Sequence, residues 1–546
     1  MNNQIKAVTL SLTLLLSTAL GGGTQGSPTV QSTPLQGSSI QASTKGSRID
    51  PQALDRFMVQ EMENYGVPDV GLAIVENGKI VYVHGHGVRD ARTRRPVDAD
   101  TQFAIGSVTK SFTALGIMWL VEKGLVKLDA PVIRYIPEFR LKDPLATRTV
   151  TVRHLLTHTT GLARDDKGLS DPAYPFAQIL ADAARTPLLG KPGTVYSYSN
   201  VNAVLAGEIV RRVSGKSWEA YTRDAVLRPL GMTKTDFTQA AMQRTGNFAA
   251  PHALDILTGL KPTPFYVLGT RAAAGAINAS PAEMAKYLQF QVGSGAPLVS
   301  RSSMIAMHTR FISNEDANVG GLIAQAVTQA AKAKGVTPPP SFVSNNGYAF
   351  YWGTEHFRGQ PVVEHGGNTD GFTANVSMLP MHGSGVLMLT NNEHADYFIE
   401  AVRQHVLQLL TGTQPPLDTS ANLQAQLKLL GVDNATHRAQ LQAARTSKVS
   451  AQSLQAVAGS YTSAVGGSAL QVKVVGGHSL NLKAELQGVG LDLQLLPVGN
   501  DQFLSNSQPA VGYLFRFATS GGKQTLSMVT ASGTLPLGQR TPLKQK

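Results

Sequence analysis

The stretch that decides the fold is Phe103–Lys110, FAIGSVTK, which runs straight into Ser111–Gly124, SFTALGIMWLVEKG. Ser107 starts a helix here, Phe112, Leu115, Met118, Trp119 and Val121 fill it, and Gly124 ends it. Its apolar residues surround the axis, which predicts a central helix buried on all sides. Ser107 and Lys110 are three apart and therefore share one face. A serine hydroxyl is a poor nucleophile until a neighbouring base removes its proton. A lysine can be that base when burial and adjacent groups lower its pKa. The helix start adds a field that favours developing negative charge. Taken alone, S-x-x-K is a weak signal, because an N-cap serine followed by an ordinary lysine reads the same way. Ser520-Gly521-Gly522-Lys523 repeats the pattern inside a predicted hairpin turn, where the two residues need not meet.

Upstream of this helix, Val70–Val83 (VGLAIVENGKIVYV) gives two β-rich runs around Asn77-Gly78, a hairpin. Downstream, helices are expected at Thr151–His158, Val201–Ser214, Trp218–Val226 and Pro281–Gly293. Strands return at Gly347–Thr354, Pro361–His365, Thr373–Leu379 and Gly385–Thr390, and a helix over Ala395–Leu410 closes the unit. Strands first, helices next and strands again predict an α+β fold: an antiparallel sheet assembled from both ends of the chain, flanked by helices and carrying an inserted helical lobe. Gly321–Pro340 reads as an Ala-rich helix with a Pro-rich stop. Pro415-Pro416 marks a boundary, and Leu423–Ala444 a helical connection. From about Leu454 the period changes to two, in Leu470/Val472/Val474, Leu491/Leu493/Leu495 and Tyr513/Phe515/Phe517, which predicts a small antiparallel barrel or sandwich. The expected division is 1–20 export signal, 21–48 flexible leader, 49–412 α+β unit, 413–453 partly helical linker and 454–546 β domain. No internal repeat is evident.

The 546 residues are 42% hydrophobic and 15% charged, with no cysteine, and the mean hydropathy is −0.06. These values exclude a polytopic membrane protein and wholesale disorder. The missing cysteines exclude disulfides, thiolate metal sites and cysteine nucleophiles. A formal charge of +12 favours polyanions in general. The basic residues are scattered, however, and the densest group, Arg89, Arg92, Arg94 and Arg95, is offset by Asp90 and Asp98. Nucleic-acid binding is therefore not expected, while loose attraction to an anionic cell envelope fits the charge. Lys6, the apolar run Ala7–Leu20 and Gly21-Gly22-Gly23 have the parts of a secretory signal, so the protein is expected to be secreted or periplasmic.

Beyond the first motif, Leu125–Phe139 (LVKLDAPVIRYIPEF), Arg153–Leu162 (RHLLTHTTGL), Gly193–Asn200 (GTVYSYSN) and His365–Phe372 (HGGNTDGF) follow in order. As a set, over roughly Ile49 to Gly412, they resemble the beta-lactamase-related serine hydrolases. That group includes class C beta-lactamases, DD-carboxypeptidases, D-aminopeptidases and related esterases. The C-terminal strands resemble the lipocalin-like domain attached to some of these hydrolases. The resemblance implies that Ser107 is the acylated nucleophile, Lys110 its activating partner and Tyr198 the proton relay. It also implies that Asn200 orients substrate, and that the backbone N–H groups of Ser107 and Asn368 form an oxyanion hole. His365 and Gly367 would lie along the bound substrate, with Gly366 at a strand edge that it approaches closely.

One position departs from the pattern. Many beta-lactamases and DD-peptidases have Lys-Thr-Gly where this chain has His365-Gly366-Gly367. A lysine holds a substrate carboxylate with a permanent charge, whereas histidine is largely neutral near pH ~7. Efficient beta-lactam turnover is thus not expected, while ester or peptide cleavage is. His154 and His158 are spaced as metal ligands but lack an HExxH and a third ligand, and His84-Gly85-His86 reads as the end of the first hairpin. No G-x-S-x-G elbow is present, which counts against an α/β-hydrolase. The expected protein is a serine hydrolase for small ester, peptide or beta-lactam-like substrates, without metal or cofactor. The alternatives are a penicillin-binding or sensor-like protein acylated without turnover, and a chain in which the C-terminal domain carries the function.

Overall fold

The computed structural model describes residues 40–41, 46–164, 171–255, 259–314, 319–393, 395–430, 439–440, 442–444, 446–464, 469–486, 489–499, 501–506, 514–520, 523–530 and 533–540. The expected export signal, and nearly all of the leader, lie outside these residues.

Nine antiparallel strands form the main sheet: β1 Ile40–Gln41, β2 Asp69–Glu76, β3 Lys79–Gly87, β4 Ile312–Ser313, β5 Val343–Tyr348, β6 Gly353–Phe357, β7 Gln360–Thr369, β8 Phe372–Leu379 and β9 Ser384–Thr390. Their order across the sheet is β1-β3-β2-β9-β8-β7-β6-β5-β4. The N-terminal hairpin, turning at Asn77-Gly78, therefore joins the late strands through β2 and β9, with Leu387 opposite Ala73. All eight residues of β2 are buried, as befits a strand covered on both faces. Ala73 and Val75 face the core shared with the helical lobe. Leu72 and Ile74 face a second core, built with helix α1, Pro51–Tyr65, and the closing helix Asp396–Thr411.

Helix α2, Thr109–Glu122, is the predicted buried helix. Apart from Trp119, Val121 and Glu122, every residue in it is buried. It is entered through a 3-10 turn, Gly106–Val108. Helix α4, Asn200–Ser214, packs beside it, and α3, Val152–Leu156, packs against α4.

The single strand expected over Gly347–Thr354 is a correction. In this segment Gly347 and Tyr348 end β5 and Gly353 and Thr354 begin β6, while Ala349–Trp352 between them is a turn, closed by a 2.7 Å bond from the Ala349 N–H to the Trp352 carbonyl. Its run of Tyr348, Phe350, Tyr351 and Trp352 has strand-like composition. Those rings are instead buried in the helical-lobe core, and Tyr351 takes φ +53. Tertiary packing here overrides local preference.

The C-terminal part is a closed eight-stranded barrel running from Gly459–Ser463 to Gly533–Arg540. Leu470, Leu480, Leu482, Leu493, Phe503 and Phe517 fill its interior, as eight strands leave room for little besides side chains. A helix, Ala451–Val457, crosses the expected start of the β domain and adds Leu454 and Val457 to that core. The second S-x-x-K ends a hairpin, with Ser520 opposite Lys523 on neighbouring strands.

Behind β7 lies a buried charged group. Arg403 donates to both carboxylate oxygens of Glu400 at 2.8 Å and also to Glu355. Nearby Glu364, which accepts from Asn375 Nδ2 at 3.0 Å, is pushed up to about 8 by burial first and by Glu355 second. In the unfolded chain the same carboxyl ionises near ~4.3. The folded state thus holds a proton that the unfolded state releases. The stability this contributes is complete below the unfolded value and is lost as pH rises through about 8. Glu364→Gln is expected to remove that loss, so that the natural chain gives up ~1 kcal/mol relative to the variant for each pH unit across this window. Urea unfolding of both proteins at several pH values measures it, and parallel curves would contradict the assignment.

Candidate active site

Ser107 lies in the 3-10 turn leading into α2 and is partly exposed, whereas Lys110 is fully buried. Helix α2 has no side-chain cap, so Ser107 is not the N-cap serine that the motif alone allowed. Its Oγ accepts instead from Lys110 Nζ at 2.9 Å and from the Tyr198 hydroxyl at 2.8 Å. The Lys110 amine also donates to the Ala274 carbonyl at 2.8 Å and stands 4.9 Å from the centre of the Tyr198 ring. A hydroxyl held between an amine and a phenol can pass its proton to whichever is in its basic form. Chain order predicts none of this convergence except the Ser107–Lys110 step, which follows from helical spacing.

Tyr198 lies two residues before α4, next to the extended Ser199 that caps it, and Asn200, 7% exposed, is the first residue of that helix. The segment is held by His158. The Ser199 N–H and Asn202 Nδ2 both donate to His158 Nδ1, at 3.3 and 3.1 Å. The Ser197 N–H donates to the His158 carbonyl at 2.9 Å. His158 takes φ +53, which ends α3 and turns the ring toward Tyr198, at 4.5 Å between centroids. Tyr348 and Tyr351 lie 5.3 and 5.0 Å away. Complete burial, reinforced by the charge of Lys110, holds the imidazole well below its usual pKa. With Nδ1 accepting, the ring proton is on Nε2. His154, the other half of the spaced pair, serves in the capping box of α3, its Nδ1 accepting from the Thr151 N–H at 3.2 Å. The structure does not join the two as a metal site. The positioning role of His158 was not read from the sequence, although RHLLTHTTGL was singled out.

On β7, His365 is 5% exposed. Its Nδ1 is 2.6 Å from the Gly366 carbonyl and its Nε2 is 3.0 Å from the Tyr348 hydroxyl. A carbonyl can only accept, so Nδ1 carries the proton and Nε2 accepts from Tyr348. Burial, with Lys110 close by, pushes the ring down to about 3, leaving it neutral with both nitrogens engaged within the protein. Asn368 also directs its side chain inward: Nδ2 donates to Asp396 at 3.3 Å and Oδ1 accepts from Thr373 at 2.9 Å. A ligand is thus left to the backbone at this position.

Two glycines bring that backbone to the serine. A Cβ on Gly367 would lie 2.1 Å from the Ile105 carbonyl oxygen and 3.1 Å from the Ser107 nitrogen. Gly106 has φ +50, and a Cβ there would meet the Asn368 nitrogen at 3.0 Å. Only hydrogen fits between the strand and the Gly106–Val108 turn. Arg164 stands 5.7 Å from the centre of the Tyr198 ring, a second positive charge beside Lys110.

The sequence profile of the family described as Beta-lactamase matches residues 54–410. Penicillin-binding protein 4 of Amycolatopsis lactamdurans is 27% identical over 368 residues, 66% of this chain and 90% of that protein. Protein flp of Staphylococcus aureus (strain N315) is 24% identical over 362 residues, 65% of this chain and 66% of that protein. This chain therefore spans just under two thirds of the length of that relative. Among solved structures, the octameric penicillin-binding protein homologue from Pyrococcus abyssi aligns with a TM-score of 0.57 at 26% identity, covering 88% of this chain and 98% of its own. A class C beta-lactamase aligns with a TM-score of 0.52 at 18% identity, covering 67% and 96%, a likeness of fold.

Proposed function

This chain belongs to the beta-lactamase family, and on that premise we propose that it is a serine hydrolase working through an acyl-enzyme on Ser107. Its substrates are esters or peptide amides, including D-amino-acid and cell-wall-like peptides, and beta-lactams are turned over weakly. The observation that carries the reading is the Ser107 hydroxyl held within 2.9 Å of both an amine and a phenol.

In the first step Ser107 Oγ attacks the substrate carbonyl carbon and its proton moves to Tyr198 or Lys110. The developing oxyanion sits against the backbone N–H groups of Ser107 and Asn368. When the tetrahedral centre collapses, the carbonyl–leaving-group bond breaks and the stored proton goes to the departing oxygen or nitrogen. Water then attacks the acyl ester with proton transfers in the reverse order, which restores Ser107 and releases the acid. The substrate preference rests on His365. A neutral ring with both nitrogens engaged offers a substrate carboxylate no permanent charge, so substrates that depend on a lysine at this position are bound less well. The protein is also proposed to be exported, on the strength of Lys6 and the run Ala7–Leu20.

The test is a substrate panel of p-nitrophenyl esters, D-amino-acid anilides, a D-Ala-D-Ala peptide and a chromogenic cephalosporin. Ester or D-peptide turnover is expected to exceed cephalosporin turnover by at least ~10-fold in kcat/KM. Stoichiometric labelling of Ser107 with no turnover of any of them would overturn the hydrolase in favour of a sensor.

A further inference from the structure

A second cluster of chemically capable side chains lies on the other side of the sheet, in the motif that the sequence assigned to the end of the first hairpin. Tyr82, His84 and His86 alternate along β3 and so project from one face, where they are paired across the ladder with Ile74, Leu72 and Val70. Helix α1 covers this face and supplies Asp55. One donor atom from each of Asp55, His84 and His86 lies within 4.8 Å of the other two. His86 Nε2 and Asp55 Oδ1 are 3.6 Å apart. A tetrahedral zinc with bonds of 2.0–2.1 Å has ligand–ligand edges of roughly 3.3 Å, so modest side-chain rotation brings the three donors to bonding distance. The Tyr82 hydroxyl donates to Asp55 and is 2.9 Å from His86 Nε2.

The geometry points to a divalent transition-metal site at Asp55, His84 and His86, of zinc type, with water or the Tyr82 oxygen in the fourth position. Two imidazoles and one carboxylate select zinc-like ions over calcium or magnesium, which take oxygen ligands. His84 Nδ1 is buried and has no hydrogen-bond partner, an omission that costs stability unless something fills it. The Asp55 side chain is 32% exposed and provides the entry. Gly85 between the two ligands leaves β3 against Val97 and Asp98, where a Cβ would come within 2.7 Å of backbone.

The site is separate from the serine. Four strand spacings divide β3 from β7 in the sheet order, roughly 19 Å at ~4.8 Å each. An ion here would tie α1 to β3, making it a structural clip that takes no part in hydrolysis and does not depend on the reading of Ser107.

Full-length protein, stripped by chelator, is titrated with zinc by calorimetry and with cobalt(II) by visible absorption. The expected result is one ion per chain, intense four-coordinate cobalt bands, and a Tm raised by ~2–3 °C at a hundredfold excess over Kd. Ester turnover should be unchanged. His84→Ala and Asp55→Asn are each expected to weaken binding by at least tenfold, while His478→Ala, in an exposed turn of the barrel, leaves it intact. Absence of saturable binding would overturn the site and leave a Tyr82–Asp55–His86 hydrogen-bond cluster only. Binding that survives in both His84→Ala and Asp55→Asn would overturn it equally.

Discussion

Ser107→Ala is expected to lower kcat/KM by ~10⁴-fold or more on whichever ester or D-peptide the natural protein turns over best, and to abolish the acyl adduct seen by mass spectrometry. The size of the effect follows from the geometry. Ser107 Oγ is the atom to which both Lys110 Nζ and the Tyr198 hydroxyl point, so its removal takes the proposed nucleophile and leaves the two proposed proton carriers nothing to act on. Tyr198→Phe keeps the ring against Lys110 and His158 and deletes only the hydroxyl, so a loss of ~10²–10⁴ is expected, in the range of one acid–base group. Tm should barely change in either variant, because Ser107 and Tyr198 are both partly exposed. Turnover that persists in Ser107→Ala would place the nucleophile elsewhere.

Gly367→Ala should lower kcat by ~10²–10³, the cost of one misplaced oxyanion donor. A methyl group at this position would stand 2.1 Å from the Ile105 carbonyl oxygen, and every close neighbour is backbone of Ile105 or Ser107. No rotamer relieves such a contact, so β7 and the turn must separate, and the N–H groups of Asn368 and Ser107 separate with them. The neighbouring glycine supplies the contrast. A Cβ on Gly366 finds only the Ala374 carbonyl, at 3.9 Å, so Gly366→Ala is tolerated by the fold and should raise KM with kcat kept. Steady-state kinetics on the pair separates the two effects. Equal kcat in both variants would show that the close approach at Gly367 does not position the oxyanion donors.

Much of this architecture was legible in the chain because it rests on short-range rules. The Asn77-Gly78 turn, the apolar circumference of Phe112–Val121 and the alternation of the C-terminal strands each express a local preference that burial then reinforces. Legibility failed where packing reverses local preference, as in Ala349–Trp352, which is a buried turn. It failed too where a residue acts through groups far away in sequence. His158 has the composition of an ordinary helix end, and its hold on Ser199 and Asn202 spans 41 and 44 residues.

By itself, the sequence determined which chemistry is present: a hydroxyl and an amine one helical turn apart, a later tyrosine, and a histidine in place of a lysine. Only the tertiary structure decided that Tyr198, 91 residues from Ser107, completes the group. It also decided that His365 is a neutral, fully engaged side chain and that Asp55 meets His84 and His86. The physical reason is that backbone spacing dictates contacts within a turn or along a strand. Distances between remote segments, and the burial that sets their protonation, exist only once the sheet has drawn both ends of the chain together.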